Sequence, residues 1–198
     1  GPSAHLHDFS AAANPFYTDF EIEAGDPSIF NNNLPIRLCG VPEITATKEV
    51  ANGPNVLADA RSEITFRLIA ENTGNQAVDN VQITDDLATV FGAGNFVLGS
   101  ATVESAPAGF TATIDPFFDG DGNQALLTAG GTLQAGERVS ILMPMTVDVP
   151  DGTYTNAIIA SGDDSRNAGA LPASSANVNV DINGLANVEG LYVSKTTP

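Results

Sequence analysis

Residues 64–70 read Ile-Thr-Phe-Arg-Leu-Ile-Ala, a run in which apolar and polar side chains alternate. Ile64, Phe66 and Leu68 fall on one side of an extended chain, whereas the threonine and the arginine between them fall on the other. This period of two is typical of a β-strand with one buried face. We therefore predict a strand here that contributes its apolar face to a hydrophobic core.

Similar runs recur from residue 43 onwards, and turn-forming clusters such as Gly92–Gly94, Asp119–Gly122 and Gly162–Asp164 separate them. Short strands at this spacing indicate an all-β fold, an immunoglobulin-like antiparallel β-sandwich. In the alternating run 139–147, Pro144 predicts an edge strand or a bulge, because proline has no N–H for a sheet ladder. The predicted strands are 44–50, 64–70, 78–84, 96–103, 110–114, 125–128, 139–147, 153–160 and 176–182.

The charge of the chain is strongly negative. Its 198 residues include 24 Asp and Glu but only 7 Lys and Arg, a formal net charge of −17. Binding to nucleic acid or to an anionic membrane surface needs basic residues, so both classes of partner are excluded. Membrane insertion is not expected either, since no apolar run approaches the roughly 18 residues of a spanning helix.

The residue inventory leaves little for catalysis. Cys39 is the single cysteine and His5 and His7 are the only histidines, so Ser-His-Asp triads and thiolate zinc sites are excluded from the body of the chain. Adjacent acids such as Asp85-Asp86 point to opposite sides of a strand and cannot flank one glycosidic bond. We predict that the protein is not an enzyme. For Cys39 we expect burial as a small apolar residue, and a disulfide between chains is the alternative.

A short sequence pattern that occurs twice in the chain indicates a repeat. The segments 44–48 and 191–195 both read apolar, any residue, apolar, hydroxyl, lysine, and they end on Lys48 and Lys195, the only two lysines. The two lysines are 147 residues apart. The simplest account is a tandem-repeat protein in which 191–198 forms the first strand of the following repeat.

Six motifs follow one another along the chain: Thr47-Lys48, Asn72-Thr73-Gly74, Ile83-Thr84-Asp85, Asp115–Gly120, Ala135-Gly136-Glu137 and Gly152–Asn156. In this order they resemble the conserved extracellular repeat of bacterial and archaeal surface proteins, a domain of unknown function. The resemblance covers about residues 43–183 and implies an immunoglobulin-like spacer or adhesive unit without catalytic activity. Two departures are Asp86-Leu87-Ala88, where Leu-Pro is usual after Thr-Asp, and a closing segment at 161–173 with fewer aspartates.

These observations divide the chain into five parts. Residues 1–3 read as a tag remnant and 4–42 as an N-terminal extension or the end of a preceding repeat. The extension is rich in aromatic residues, unlike a free linker. Residues 43–183 form the sandwich, 184–190 a linker, and 191–198 a strand of the next repeat or one donated to a neighbour.

One loop has the oxygen spacing of a calcium site. Asp119, Asp121 and Asn123 alternate with glycines, and Asp115 lies close by in sequence. The rest of an EF-hand loop is missing, and a solvated turn is the alternative interpretation. Because Ca²⁺ would relieve carboxylate repulsion in so acidic a chain, we expect it to raise the melting temperature.

A second candidate site is covalent. In immunoglobulin-type sandwiches the first and late strands can lie side by side, and a buried Lys, Asn and carboxylate can condense to an isopeptide bond, as in pilins and collagen-adhesin B-type domains. Lys48, Asn156 and Asp85 have the required types. The preferred interpretation at this level is still a surface lysine, a turn-side asparagine and a capping aspartate, because the sequence does not determine which face each strand presents.

The favoured function is a non-enzymatic structural module of an extracellular bacterial surface protein or fibre: an adhesin stalk, a surface coat or a filament. Its expected partners are adjacent repeats or identical subunits, joined through β-strand addition. The alternative is a Ca²⁺-dependent adhesive module for glycan or protein. The chain has no Trp for a sugar-binding platform, which favours the structural function.

Overall fold

The computed structural model describes residues 40–166 and 169–183. The segments interpreted from the sequence as tag, linker and following repeat, and all of the N-terminal extension except residues 40–42, lie outside these ranges. So do Lys195, the aromatic residues of the extension and Cys39, so the prediction that Cys39 is buried stays a prediction. In chain order the elements are β1 (Ile44–Val56), β2 (Ser62–Asn72), β3 (Val78–Asp85), α1 (Leu87–Phe91), β4 (Phe96–Leu98), β5 (Thr102–Ser105), β6 (Arg138–Val147), β7 (Gly152–Asp164) and β8 (Ser174–Ile182).

The strands form two antiparallel sheets. The first sheet has the order β1-β2-β6-β4, and β5 also pairs with β6. The second has the order β3-β7-β8. The buried apolar side chains form one cluster to which both sheets contribute. The predicted immunoglobulin-like antiparallel β-sandwich is thereby confirmed.

The alternating patterns position the core as expected. On β2, Ile64, Phe66 and Leu68 are each 0% exposed. Arg67, between them, points outward and forms ion pairs with Glu49 of β1 and Glu104 of β5. Full burial of each large apolar side chain contributes about 1.5–3 kcal/mol, so this face of β2 is a main source of stability.

Two predicted strands are wrong and a third is divided. The run 96–103 splits into β4 and β5, while 110–114 and 125–128 make only isolated bridges. Leu126 bonds to the backbone of β3, but the next N–H, that of Leu127, donates to the Gln82 side chain at 2.8 Å. Because a side chain takes the place of a backbone partner, the apolar segment is buried without continuing a ladder.

The prediction that Pro144 marks an edge or a bulge is also wrong. β6 is an interior strand, with β2 on one side and β4 and β5 on the other, and its register with β2 is unbroken. Pro144 lies in the interval between the residues paired with β4 and those paired with β5. Its carbonyl still accepts the Gly99 N–H at 2.8 Å. The missing N–H therefore falls where the ladder on that side is already interrupted.

The short helix α1 was not predicted. Asp86 caps it, since its Oδ1 accepts the Thr89 N–H at 2.9 Å, and Leu87 and Phe91 are buried. The chain leaves the helix at Gly92, where φ is 87°. The sequence feature that could have predicted this helix is Asp86, followed by the apolar residues Leu87 and Phe91, which are four positions apart. In the described ranges no helix has the length and apolar character needed to cross a membrane.

Candidate functional site

Three polar residues named from the sequence meet inside the sandwich. Asp85 is the last residue of β3 and lies opposite Ile158 of β7. Asn156 is two residues from Ile158, on the same inner face, so Asp85 and Asn156 are diagonal neighbours across the strand pair. Lys48 reaches Asp85 from β1 of the facing sheet. The preferred interpretation of all three as surface or turn residues is therefore wrong: Lys48 is 5%, Asp85 1% and Asn156 0% exposed.

A direct contact joins the two charged members of this cluster. Lys48 Nζ donates a hydrogen bond to Asp85 Oδ2 at 2.5 Å, and both side chains are fully buried. The same Nζ lies 4.6 Å from the centroid of the Phe66 ring on β2. Phe66 was recognised from the sequence as a core residue, but its place against the lysine depends on the register of β1 with β2. The ammonium group is thus enclosed by one carboxylate and one aromatic face.

Burial pushes both charged groups towards their neutral forms. Desolvation raises the pKa of Asp85 to about 6, although the charge and the hydrogen bond of Lys48 oppose this rise. The charge of Asp86 raises it further, and the Asn156 amide lowers it slightly without making a well-formed hydrogen bond. Desolvation likewise lowers the pKa of Lys48 to about 8, against the opposing effect of Asp85. Transfer of the proton from lysine to aspartate is therefore easier here than in water.

The cluster also contains unpaired polar atoms. Asp85 Oδ1, Asn156 Nδ2 and Asn156 Oδ1 are buried and make no hydrogen bond, and no other buried side-chain nitrogen or oxygen in the described ranges shares this condition. Each unpaired buried polar group costs about 1–3 kcal/mol. Native proteins rarely tolerate such groups without a reason. Here all of them lie within a single cluster that also contains a buried ion pair.

The chemical types in the cluster are complementary. A lysine with a lowered pKa is a potential nucleophile, a carboxyl group with a raised pKa is a potential acid, and the asparagine amide is a potential electrophile. Because all three side chains are shielded from solvent, they can act on one another but not on a substrate that arrives from outside.

The neighbouring acid pair behaves as the strand geometry predicts. Asp85 points into the core, whereas Asp86 points outward and caps α1. The two carboxylates face different surroundings and do not flank a common cleft. No paired-carboxylate hydrolytic site is formed by these residues.

In the predicted calcium loop, side-chain oxygens accept hydrogen bonds from other groups of the same loop. Asp119 Oδ1 accepts the backbone N–H groups of Asp121 and Asn123 at 2.9 and 2.8 Å, and these donors lower the pKa of Asp119. Asn123 in turn donates its side-chain amide to Asp115 at 3.1 Å. Within residues 40–166 and 169–183, no three His, Cys, Asp or Glu side chains are grouped for a metal ion. Calcium binding here stays a prediction.

Solved structures with a similar strand arrangement include three bacterial surface proteins. The full-length major pilin SpaD of Corynebacterium diphtheriae is 12% identical with a TM-score of 0.49, over 70% of this chain and 35% of that one. The pilin subunit BcpA of Bacillus cereus is 9% identical with a TM-score of 0.44, over 71% and 40%. The collagen-binding domain of a Staphylococcus aureus adhesin is 12% identical with a TM-score of 0.35, over 71% and 96%.

The chain thus spans about a third of SpaD and two fifths of BcpA. At this level of identity and superposition, the similarity extends to the general β-sandwich arrangement and carries no functional inference. No protein-family model matches the chain, and no curated protein matches it significantly. The class that the strands define is the all-β antiparallel sandwich.

Proposed function

We propose that this chain is a non-enzymatic structural module of an extracellular bacterial surface protein or fibre. The observation that carries the proposal is the fully buried Lys48–Asp85 pair, which links the two sheets beside Asn156. Reactive groups in an enzyme or a binding module must be reached by a ligand, whereas these are closed off from solvent. Their chemistry is directed at the fold, as expected for a domain whose task is to resist unfolding.

The position of the pair supports a mechanical role. Lys48 lies on the first strand of one sheet and Asp85 on the other sheet, so the contact opposes separation of the sheets. Apolar residues of similar volume would give equal or greater equilibrium stability than a buried ion pair. Packing alone therefore does not explain the buried charges.

The proposed partners are adjacent repeats or identical subunits joined by β-strand addition. The repeat of the 44–48 pattern at 191–195 supports this proposal, because the first copy pairs with β2 along the edge of a sheet. A second copy of the pattern has the alternation needed to occupy a corresponding edge. Short exposed strands such as β5, all four residues of which are exposed, are edges that can accept a strand.

Deletion of residues 191–198 is expected to abolish self-assembly of the purified chain. Without this segment, a subunit has no strand to add to its neighbour. Oligomer size is measured by light scattering and negative-stain electron microscopy. A second variant keeps the length of the chain and replaces only Leu191, Tyr192 and Val193 by serine. It should abolish self-assembly as the deletion does, which would show that the apolar side chains are required and not merely the length. Unchanged oligomers after either change would contradict strand addition.

Calcium-dependent adhesion is the other candidate. The acidic charge of −17 is the feature that favours it. A rise in melting temperature with Ca²⁺ that Asp119→Asn removes, together with specific Ca²⁺-dependent binding to a glycan array, would establish adhesion in place of the structural function. Magnesium at the same concentration is the control for general screening of charge.

A further inference from the structure

We propose that Lys48 and Asn156 form an intramolecular isopeptide bond, made by the protein itself, with Asp85 as the proton carrier. The inference rests on the proposed structural function and deepens it, since it changes a buried contact between sheets into a covalent one. It is carried by the position of the three side chains between the sheets, by the Lys48–Asp85 contact and by the unpaired amide of Asn156.

The unpaired atoms are the strongest observation. An asparagine that served only packing would be replaced by an apolar residue, and one that served a hydrogen-bond network would have partners. Asn156 has neither kind of environment: it is 0% exposed, and both of its amide atoms lack partners. Asn156 lies beside the buried carboxyl group of Asp85, which contacts the buried lysine, so the three groups that the reaction needs form one cluster.

The reaction balances without any further reagent. The Lys48 ammonium gives one proton to the Asp85 carboxylate, and the neutral Nζ attacks Cγ of Asn156. The protonated Asp85 donates to Oδ1 as negative charge develops there, and it takes this proton back when the carbonyl group forms again. The bond between Cγ and Nδ2 then breaks, and Nδ2 leaves as ammonia after taking the second proton of the lysine nitrogen. The products are a secondary amide, one ammonia and a protonated Asp85, with no change in oxidation state.

The product removes the anomalies of the unreacted cluster. The charge on Lys48 disappears, and with it the cost of a buried ammonium. Nδ2, one of the unpaired atoms, leaves the protein. The new amide N–H and Oδ1 remain beside a carboxyl group whose raised pKa favours the protonated form, which both donates and accepts hydrogen bonds.

Asn156 is a better electrophile than Asp85, although Asp85 makes the direct contact with Nζ. Nζ becomes a nucleophile only when its proton is on Asp85, and attack on Asp85 itself would consume the acid that stabilises the developing oxyanion. A Lys48–Asp85 bond would also lose water, about 18 Da, instead of ammonia, about 17 Da. The two products are therefore distinguishable by mass.

The rate of bond formation is expected to be bell-shaped in pH, with a plateau between about 6 and about 8. Below the plateau Asp85 is protonated while Lys48 is charged, so no nucleophile forms. Above it Lys48 is neutral and Asp85 is ionised, so the acid is missing. The rate should fall about tenfold per pH unit on each side. Denatured chain from inclusion bodies is refolded by dilution at each pH, and bond formation is followed by intact mass.

The control for this profile is Asp86→Asn. Among the titratable groups around the pair, Asp86 is the one whose charge acts on Asp85, whereas Phe66 on β2 and Asn156 on β7 do not titrate. Asparagine also caps helices, so α1 is retained. The acid limb should move to lower pH in this variant. A rate that rises steadily with pH beyond the pKa of Lys48 would show that Asp85 does not act as the acid.

The decisive experiment is the intact mass of the full chain after native purification, followed by tryptic mapping. We expect a mass about 17 Da below that of the sequence. Because an acylated lysine is not cleaved, trypsin should release residues 38–61 joined to residues 139–166 as one branched peptide. A full-mass chain overturns the proposal, as does a 17 Da loss mapped to a succinimide at an Asn-Gly step or a loss of about 18 Da between Lys48 and Asp85.

Variants confirm the assignment. Lys48→Arg, which keeps a positive charge for Asp85, and Asn156→Ala should both restore the full mass. Lys195→Arg, a change to the only other lysine, should leave the loss of ammonia intact. The wild-type mass needs no variant to fold, so the proposal stays falsifiable if one does not. A full-mass chain would overturn the bond alone, whereas Ca²⁺-dependent glycan binding would overturn the structural function.

Discussion

Pulled from its two ends, the native chain is expected to lengthen much less than a variant that cannot form the Lys48–Asn156 bond. The bond closes a loop of roughly 110 residues, which a pulling force cannot extend. At about 3.6 Å per residue, this loop corresponds to about 390 Å of contour length. Force entering at β1 would cross directly to β7, so β2, β3 and β6 would carry none of it. Single-molecule force spectroscopy on the full chain between fused handles measures the difference.

Lys48→Arg is the comparison variant for this measurement, and Lys195→Arg is its control. The segments outside the loop extend equally in all three proteins, so they cancel in the comparison. The native chain and Lys195→Arg should lack the long extension step that Lys48→Arg shows. An equally long step in all three proteins would exclude a covalent load path.

Asp85→Ala is expected to lower the melting temperature by about 10 °C or more. The substitution leaves the Lys48 ammonium buried without its partner, which typically costs 3–5 kcal/mol, and it also removes the acid needed for the bond. A cross-link that closes a loop of about 100 residues contributes a further 4–5 kcal/mol in the chain-entropy account of disulfides. Differential scanning calorimetry gives the change directly.

Asp59→Ala is the matched control, since it removes the same side chain from an ion pair that is exposed. Asp59 pairs with Arg61, and their side chains are 53% and 40% exposed. Exposed pairs of this kind contribute little, so the melting temperature should hardly change. Equal shifts in the two variants would show that the buried cluster has no special role in stability.

Much of the fold was predictable from local pattern. The alternation of Ile64, Phe66 and Leu68 correctly placed β2 and its buried face, because one side of an extended chain must leave water. The same reasoning failed for residues 125–128, where the apolar run is buried but its backbone is bonded partly to the Gln82 side chain. It failed for Pro144 as well, because an interior strand accepts a proline at this position only where the pairing of β6 passes from β4 to β5.

The candidate site shows which properties a local sequence pattern cannot predict. The sequence supplied the residue types Lys48, Asp85 and Asn156 and their strands, but it favoured surface positions for all three. Whether an inward position meets solvent, a hydrocarbon side chain or a charge depends on which strand of the opposite sheet covers it.

By itself, the sequence determined a two-sheet β-fold, an acidic exterior and a body without histidine or cysteine chemistry. These properties follow from composition and from the period of two, both of which are local. The tertiary structure alone decided that a lysine and an aspartate 37 residues apart would touch, beside an asparagine from a late strand. The physical reason is register: the pairing of β1 with β2 and of β3 with β7 sets which inner side chains face each other, and only the folded chain holds both pairings at once.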